Sequence, residues 1–241
     1  IEKTQIQISS SKKLQRMSDD PVASRRIATI TASQSSMESW RLNLTTAAGT
    51  VAQGESVMKS VTELIQRVND LSMQGISGTV DENSRRTIAA EITAIADEID
   101  NLIGTRGSNG EPLFDTAPRV MRFDSDIAFA PLPAVGDIFA KDGLSLSASL
   151  RDVAANIAAS DAEAMGLDRG VVMDWIGHIA DQNASVGLAA GRLDRIGESL
   201  DLRAIAVKDE RSGLEDTDLA EAISLLKAQD LALSAAQAAF A

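Results

Sequence analysis

The residues of this chain that could carry acid–base or metal chemistry are few. His178 is the only histidine and there is no cysteine, which excludes two-histidine zinc sites and thiolate nucleophiles. A lone histidine without an orienting partner or a nucleophile favours a packing or surface role on a helix. We therefore predict no catalytic residue, no metal site and no bound cofactor.

Two short segments are similar to known sites but lack their defining residues. The glycine-rich stretch at residues 104–110 follows a helix and lacks the Lys-Ser/Thr end of a phosphate-binding loop, so a plain turn is predicted. Asp124-Ser125-Asp126 is similar to the start of a calcium-binding EF-hand loop, but the later glycine and glutamate are missing. We expect a solvated loop there. The pair Asp19-Asp20 before Pro21 is explained as a helix cap.

Charge and hydropathy narrow the classes of partner. The chain has 241 residues, with 35 acidic and 23 basic side chains, and a formal net charge of −12. This acidic excess argues against binding to nucleic acid or to an anionic membrane, because both require a basic surface. No apolar run reaches the roughly 20 residues that span a bilayer, so no membrane insertion is predicted.

The elements that must position the candidate residues for chemistry are long helices. Apolar side chains recur in alternating steps of three and four residues from Met37 to Val68, the spacing of one helix that lies along another. This helix is predicted to begin at Pro21 and to end near Gly75. A second helix, predicted from Glu82 to Ile103, should fold back antiparallel because only a short turn separates the two.

The same spacing returns in the second half of the chain. A short helix is predicted around residues 150–157, and a long helix carries the pattern from Ile176 to Val207 and should end at residues 211–213. A last helix extends from Leu219 to Phe240. The core residues predicted along the two long helices are Met37, Trp40, Leu44, Val51, Met58, Val61, Ile65, Ile176, Ile179, Val186, Leu193 and Leu200.

The segment between the helical halves has a different composition. Residues 112–139 contain four of the five prolines and four of the five phenylalanines. Partial alternation of apolar and polar residues there predicts a small β-rich module or a pair of hairpins. The predicted fold is mainly α: a rod-like antiparallel bundle of long helices, with the N- and C-terminal helices paired and the insert at the tip.

The predicted organisation has four parts. They are an N-terminal assembly segment and linker at residues 1–19, a helical core domain at residues 20–111 and 146–213, the insert at residues 112–145, and a C-terminal assembly helix at residues 214–241. Because the chain starts at Ile1 and stops inside an apolar pattern, we expect both terminal segments to be truncated. Their apolar faces fit either assembly with neighbouring subunits or a bundle closed within one chain.

Several segments together resemble the bacterial flagellin superfamily. They are Ile8–Leu14, Ser18–Ala23, Gln66–Gln74 followed by Glu91-Ile92, and Leu214–Ala222. The Asp-Asp-Pro sequence is more similar to the hook-associated branch of this superfamily than to flagellin itself, which typically has alanine after the acids. Two residues depart from the family pattern: Ser11 stands where glycine is usual, and Met17 stands where the hook-associated branch usually has proline.

The resemblance implies a structural subunit of the bacterial flagellum, and not an enzyme. Such subunits are exported through the flagellar type III apparatus without a cleavable signal peptide and assemble outside the cell, joining hook to filament. The implied partners are further copies of the chain in a ring, a neighbouring hook-associated protein, flagellin and an export chaperone. The implied assembly interface, formed by the terminal helices, is Ile1, Ile8, Leu219, Ile223, Leu226, Leu233 and Phe240.

Two other functions stay open. One is a short or minor flagellin that forms filament. The other is a surface-exposed binding protein or enzyme on the same scaffold, for which Asp124 and Asp126 offer candidate carboxylates.

The resemblance also implies receptor recognition, since Arg67, Leu71 and Glu91 match flagellin positions contacted by the vertebrate toll-like flagellin receptor. By residue pattern alone, Leu71 continues an apolar helix stripe, and the other two are surface charges.

Overall fold

The computed structural model describes residues 2–14, 16, 18–107 and 109–239. As predicted, the chain is mainly α-helical, with long paired helices and two small sheets. The helices are α1 (Glu2–Ser10), α2 (Pro21–Ile76), α3 (Glu82–Ile103), α4 (Val135–Phe139), α5 (Leu146–Ala159), α6 (Ala162–Glu215) and α7 (Leu219–Ala239); the strands are β1 (Met121–Arg122), β2 (Ala128–Phe129), β3 (Ala140–Lys141) and β4 (Leu144–Ser145).

Capping side chains set the starts of α2 and α3 at the predicted residues. Oδ1 of Asp20 accepts hydrogen bonds from the N–H groups of Val22 and Ala23, both at 3.0 Å. Asp81 accepts from the N–H of Ser84 at 3.0 Å, and hydrogen bonds from Ser84 lower the pKa of the Asp81 carboxyl. These bonds satisfy N–H groups that the first turn of a helix leaves free.

The long helix that carries the apolar pattern from Ile176 to Val207 was predicted to end at residues 211–213, and this prediction is wrong. Helix α6 continues through Gly213 to Glu215. Arg211 pairs with Glu215 one turn later at 2.8 Å, and the hydroxyl of Ser212 donates to the carboxylate of Asp216. These contacts across one helical turn stabilise α6 beyond Gly213. Glycine inside a helix costs about 1 kcal/mol relative to alanine, which is too small to end the helix by itself.

The chain divides into two compact units. Unit 1 comprises residues 1–39 and 198–241, and unit 2 comprises residues 40–197. Within unit 2, α2 and α6 run antiparallel: Leu44 lies beside Gly197, and Asn183 donates to the hydroxyl of Thr62 at 3.1 Å. Helix α3 packs against α5 in the same unit.

The predicted core residues are buried to different degrees. In unit 2, side chains with at most 2% exposure are Val51, Met58, Val61, Ile65, Ile179, Val186 and Leu193. In unit 1, Met37 and Leu200 are also buried. Trp40, Leu44 and Ile176 are only half-buried. The 3–4 pattern identifies the contact face but not how completely neighbouring elements cover it.

A glycine within the apolar pattern of α2 marks a close approach. A Cβ atom at Gly54 would lie 2.8 Å from Cδ2 of Leu132, a distance shorter than van der Waals contact. Leu132 belongs to the insert and is buried. A larger residue here would have to displace the Leu132 side chain, whereas glycine leaves a notch into which that side chain packs.

The insert contains the predicted pair of hairpins in minimal form. Strands β1 and β2 pair antiparallel with Met121 opposite Phe129, and β3 and β4 pair with Ala140 opposite Ser145. Each strand has only two residues, and the five-residue helix α4, which the sequence did not predict, lies between the hairpins. Side chains of this insert, and not its strands, supply most of its packing, as the buried Phe114, Phe123 and Phe139 show.

Candidate assembly site

Helices α1 and α7 pack against each other within unit 1. Thr4 of α1 is buried, and its hydroxyl donates to Oε1 of Gln229 on α7 at 3.3 Å. Asp218 caps the start of α7 by accepting from the N–H groups of Ala220 and Glu221 at 2.9 and 3.1 Å. Helix α7 is thus fixed both at its start and along its side.

This helix pair leaves much of its apolar surface uncovered. We term the exposed set the terminal apolar surface; its exposed fractions run from 42% at Ile6 to 73% at Leu231. Its members are Ile6, Leu219, Ile223, Leu225, Leu231 and Leu233. A helix that is apolar on more than one face is normally enclosed by neighbours.

The predicted interface residues divide into three groups. Leu219, Ile223 and Leu233 belong to the terminal apolar surface. Ile8 and Leu226 are half-buried, and the predictions for Ile1 and Phe240, like that for Met17, fall outside the described residues. The 3–4 pattern does not include Leu225 or Leu231, which only the high leucine content of α7 could have indicated.

A short backbone pairing joins the two linkers beside α1 and α7. The N–H of Lys13 donates to the carbonyl of Glu215 at 2.7 Å, and the N–H of Thr217 donates to the carbonyl of Ser11 at 3.0 Å. Lys12 and Asp216 form the antiparallel bridge between them. We term residues 11–13 and 215–217 the terminal tie. It holds the start of α7 to the end of α1.

Ion pairs connect the terminal tie to the long helices of unit 1. Glu215 forms ion pairs with Lys12 at 3.6 Å and with Arg211 at 2.8 Å, and Arg211 also donates to Oε1 of Gln34 on α2 at 2.9 Å. Arg26 of α2 and Glu210 of α6 form two hydrogen bonds of 2.5 and 2.9 Å. These bonds raise the pKa of Arg26 and lower that of Glu210.

Replacing Ser11 by glycine should stabilise the terminal tie by about 0.5–1 kcal/mol. Ser11 has φ = 55°, in the left-handed region that costs an L-residue roughly 1–2 kcal/mol, and the greater chain entropy of glycine offsets about half of that gain. Hydrogen exchange of the Lys13 and Thr217 amides should slow correspondingly. Ser9→Gly, inside α1, is the control and should speed exchange; faster exchange in Ser11→Gly would contradict the assignment.

The candidate residues for chemistry take structural roles. Nε2 of His178 lies 3.1 Å from the carbonyl oxygens of both Asp137 and Ile138, and its ring packs edge-on against Trp175 at 5.5 Å. In the stretch at residues 104–110, of which Ser108 lies outside the described residues, Gly107 and Gly110 use their N–H groups within the loop. Their amides are therefore not directed at a ligand.

The expectation of a solvated loop is wrong for Asp124. Its side chain is only 8% exposed, because the N–H groups of Phe123 and Asp124 both bond the carbonyl of Ile127 and fold the loop inward. Asp126 stays exposed. Across the described ranges, no group of three or more acidic, histidine or cysteine side chains could hold a metal ion. In the same ranges, no helix has the length and apolar character needed to cross a membrane.

Comparison with known proteins shows which family the N-terminal half of the chain is similar to. Residues 1–118 match the family described as the bacterial flagellin N-terminal helical region. The N-terminal half of the chain is thus similar to bacterial flagellin. Members of this family are structural flagellar proteins.

The curated relatives of this chain include hook-associated proteins and flagellins. Flagellar hook-associated protein 3 of Escherichia coli K12 is 30% identical over 117 residues, covering 46% of this chain and 37% of that protein. The protein of the same name in Salmonella typhimurium is 29% identical, covering 45% and 34%. The chain thus spans about a third of these two relatives. Listeria monocytogenes flagellin is 22% identical, covering 91% and 80%.

Solved structures show the same fold. The flagellar hook associated protein-3 from Legionella pneumophila superimposes with a TM-score of 0.71 at 11% identity, covering 78% of this chain and 98% of that one. Xanthomonas campestris FlgL superimposes with a TM-score of 0.68 at 11% identity, covering 76% and 99%.

The three residues predicted for receptor recognition lie together but differ in exposure. Arg67 of α2 and Glu91 of α3 form an exposed ion pair, with Nη2 of Arg67 2.7 Å from Oε1 of Glu91. Leu71 is 2% exposed, so it contributes to the core and not to the surface. Receptor recognition through Arg67 and Glu91 stays a prediction.

Proposed function

We propose that this chain is a structural subunit that joins hook to filament and assembles through its terminal helices. The observation that carries the proposal is the terminal apolar surface, six large apolar side chains left exposed on one helix pair. Soluble chains rarely expose so many apolar side chains together unless a partner covers them. The similarity to flagellar hook-associated protein 3 of two bacteria supports the position in the flagellum.

The proposed partners follow from this assembly. Further copies of the chain form a ring, a neighbouring hook-associated protein and flagellin contact its two sides, and an export chaperone holds the subunit before type III export to the outside of the cell. The proposed assembly segments, residues 1–19 and 214–241, both fall within unit 1. The helical core at residues 20–111 and 146–213 and the insert at residues 112–145 complete the proposed organisation. The role is structural, so no catalytic residue and no cofactor is assigned.

A second candidate is a short flagellin that forms filament. The match to Listeria flagellin favours it, because it covers 91% of the chain. Deleting the gene in its own bacterium separates the two functions. Loss of a junction subunit should release unpolymerised flagellin into the medium and leave hooks without filaments. Loss of a minor flagellin should instead leave attached filaments that are shorter or thinner.

Point variants test whether the terminal apolar surface carries the assembly. Leu219→Asp with Ile223→Asp should release flagellin nearly as much as the deletion, because two buried charges at an interface each cost several kcal/mol. Leu188→Asp is the matched control: Leu188 is 75% exposed and lies in unit 2. Filament counts by electron microscopy and unchanged helicity of the purified variants complete the test. Normal filaments in the double variant would refute assembly through this surface.

A further inference from the structure

A buried carboxyl group lies where α5 turns into α6 in unit 2. Asp168 of α6 is only 6% exposed. Nδ2 of Asn156 on α5 donates to its Oδ1 at 3.0 Å, while Oδ2 is buried without a hydrogen-bond partner. An ionised carboxylate with an unpaired buried oxygen is costly, whereas a proton on that oxygen removes the charge. Neither the proposed assembly nor any predicted site uses this group.

The charged groups that act on Asp168 are acidic. Burial is the largest influence and raises the pKa of Asp168 above its ordinary value of 3.8. The carboxylates of Asp152 on α5 and Asp161 at the start of α6 raise this pKa further, and the hydrogen bond from Asn156 lowers it. Asp161 is held in place because it accepts from the N–H groups of Glu163 and Ala164 at 3.1 and 3.0 Å.

Arg85, a basic residue near this corner, is engaged by other partners. Arg85 of α3 donates to the carbonyl of Gly75 on α2 and to the hydroxyl of Ser160, both at 3.2 Å. Helices α2 and α5 approach closely at this point, since a Cβ atom at Gly75 would lie 3.0 Å from Cγ2 of Ile157. Arg85 therefore fixes the turn after α5 without neutralising the carboxyl group on α6.

We propose that Asp168 is a proton-operated latch of the α5–α6 corner. With a proton on Oδ2, the neutral carboxyl group stays buried beside Asn156 and the corner is closed. When that proton leaves to solvent, the carboxylate recruits water, and α5 packs less tightly on α6.

The direction of the pH effect follows from the raised pKa. The folded chain binds this proton more tightly than the unfolded chain, so the stabilisation is complete below the ordinary pKa of 3.8. It is lost as pH rises through the folded-state pKa of Asp168. Above that pKa the corner is in its loosened state.

Asp168→Asn tests the latch, because asparagine keeps the shape of the neutral carboxyl group. At neutral pH this variant should have a higher denaturant midpoint than the natural chain. Exchange of the Ser160 and Asp161 amides should be slower in the variant than in the natural chain. Both differences should disappear as pH falls toward 4. A variant that is less stable than the natural chain at neutral pH, or a difference independent of pH, would overturn the proposal.

Asp152→Asn provides a second test in which Asp168 is retained. Removing the neighbouring carboxylate should shift the transition to lower pH without abolishing it, since one source of the raised pKa is lost. Carbon-13 chemical shifts of the Asp168 carboxyl group, followed against pH, give its titration directly in both chains. Titration of Asp168 at the same pH as exposed aspartates would also overturn the latch.

Discussion

Replacing Ile65 by alanine should lower the free energy of unfolding by about 2–5 kcal/mol. Ile65 is fully buried, as are Met58, Val61 and Val68 on the same face of α2. Neighbours of this kind on a rigid helix relax little into the space left by three missing carbon atoms, so the loss of apolar burial and the remaining cavity both contribute. Urea unfolding followed by circular dichroism measures the change.

Gln66→Ala is the matched control for this substitution. Gln66 is the next residue on α2 and is exposed, so its replacement should change the free energy of unfolding by less than about 0.5 kcal/mol. A cost below about 1 kcal/mol for Ile65→Ala would mean that the α2 core is loosely packed or readily collapses. The burial of the 3–4 face would then not be a main source of stability.

The features that the sequence could predict are local in the chain. The side chain of Asp20 and the ring of Pro21 start α2, and both act within one helical turn. The 3–4 spacing repeats every seven residues, so it identifies the buried face from Met58 to Ile65 without knowledge of the partner helix. Helix α3 was predicted at its observed bounds for the same reason, because its cap and its apolar face are both encoded locally.

The features that could not be predicted depend on residues far apart in the chain. Arg26 meets Glu210 across 184 residues, and Gln34 meets Arg211 across 177. No local pattern distinguishes these side chains from ordinary surface charges. The burial of Asp124 and Asp168 has the same origin, since a carboxylate in a polar segment is expected to face water unless another element covers it.

The terminal apolar surface combines residues that a local pattern predicts with residues that no local pattern indicates. Spacing predicted the exposed Leu219, Ile223 and Leu233 because they repeat along one helix face. Leu225 and Leu231 extend the apolar surface onto other faces of α7, where the repeat gives no signal. Which apolar face pairs with α1, and which stays uncovered, depends on the register fixed by the terminal tie.

Replacing Phe123 by alanine should destabilise the insert by about 3–5 kcal/mol. Phe123 is fully buried, and its ring centre lies 4.8 Å from that of Phe129. Two contacts attach this hairpin to the long helices: Asn43 donates to the carbonyl of Arg122 at 2.8 Å, and the guanidinium of Arg192 lies 4.1 Å above the ring of Phe129. Strands of two residues supply few hydrogen bonds, so the aromatic packing must carry the hairpin.

Hydrogen exchange of amides in the separate elements shows which part of the chain Phe123→Ala destabilises. The amides of Phe123 and Asp124, which bond the carbonyl of Ile127, should lose protection in Phe123→Ala, while amides around Ile65 should keep it. Val120→Ala, at a side chain 67% exposed, should change neither set. Equal loss of protection around Ile65 would mean that the insert and the α2 face unfold as one cooperative unit. Side chains such as Leu132, which packs against Gly54, would then couple the insert to α2 more strongly than the Phe123–Phe129 contact stabilises the hairpin alone.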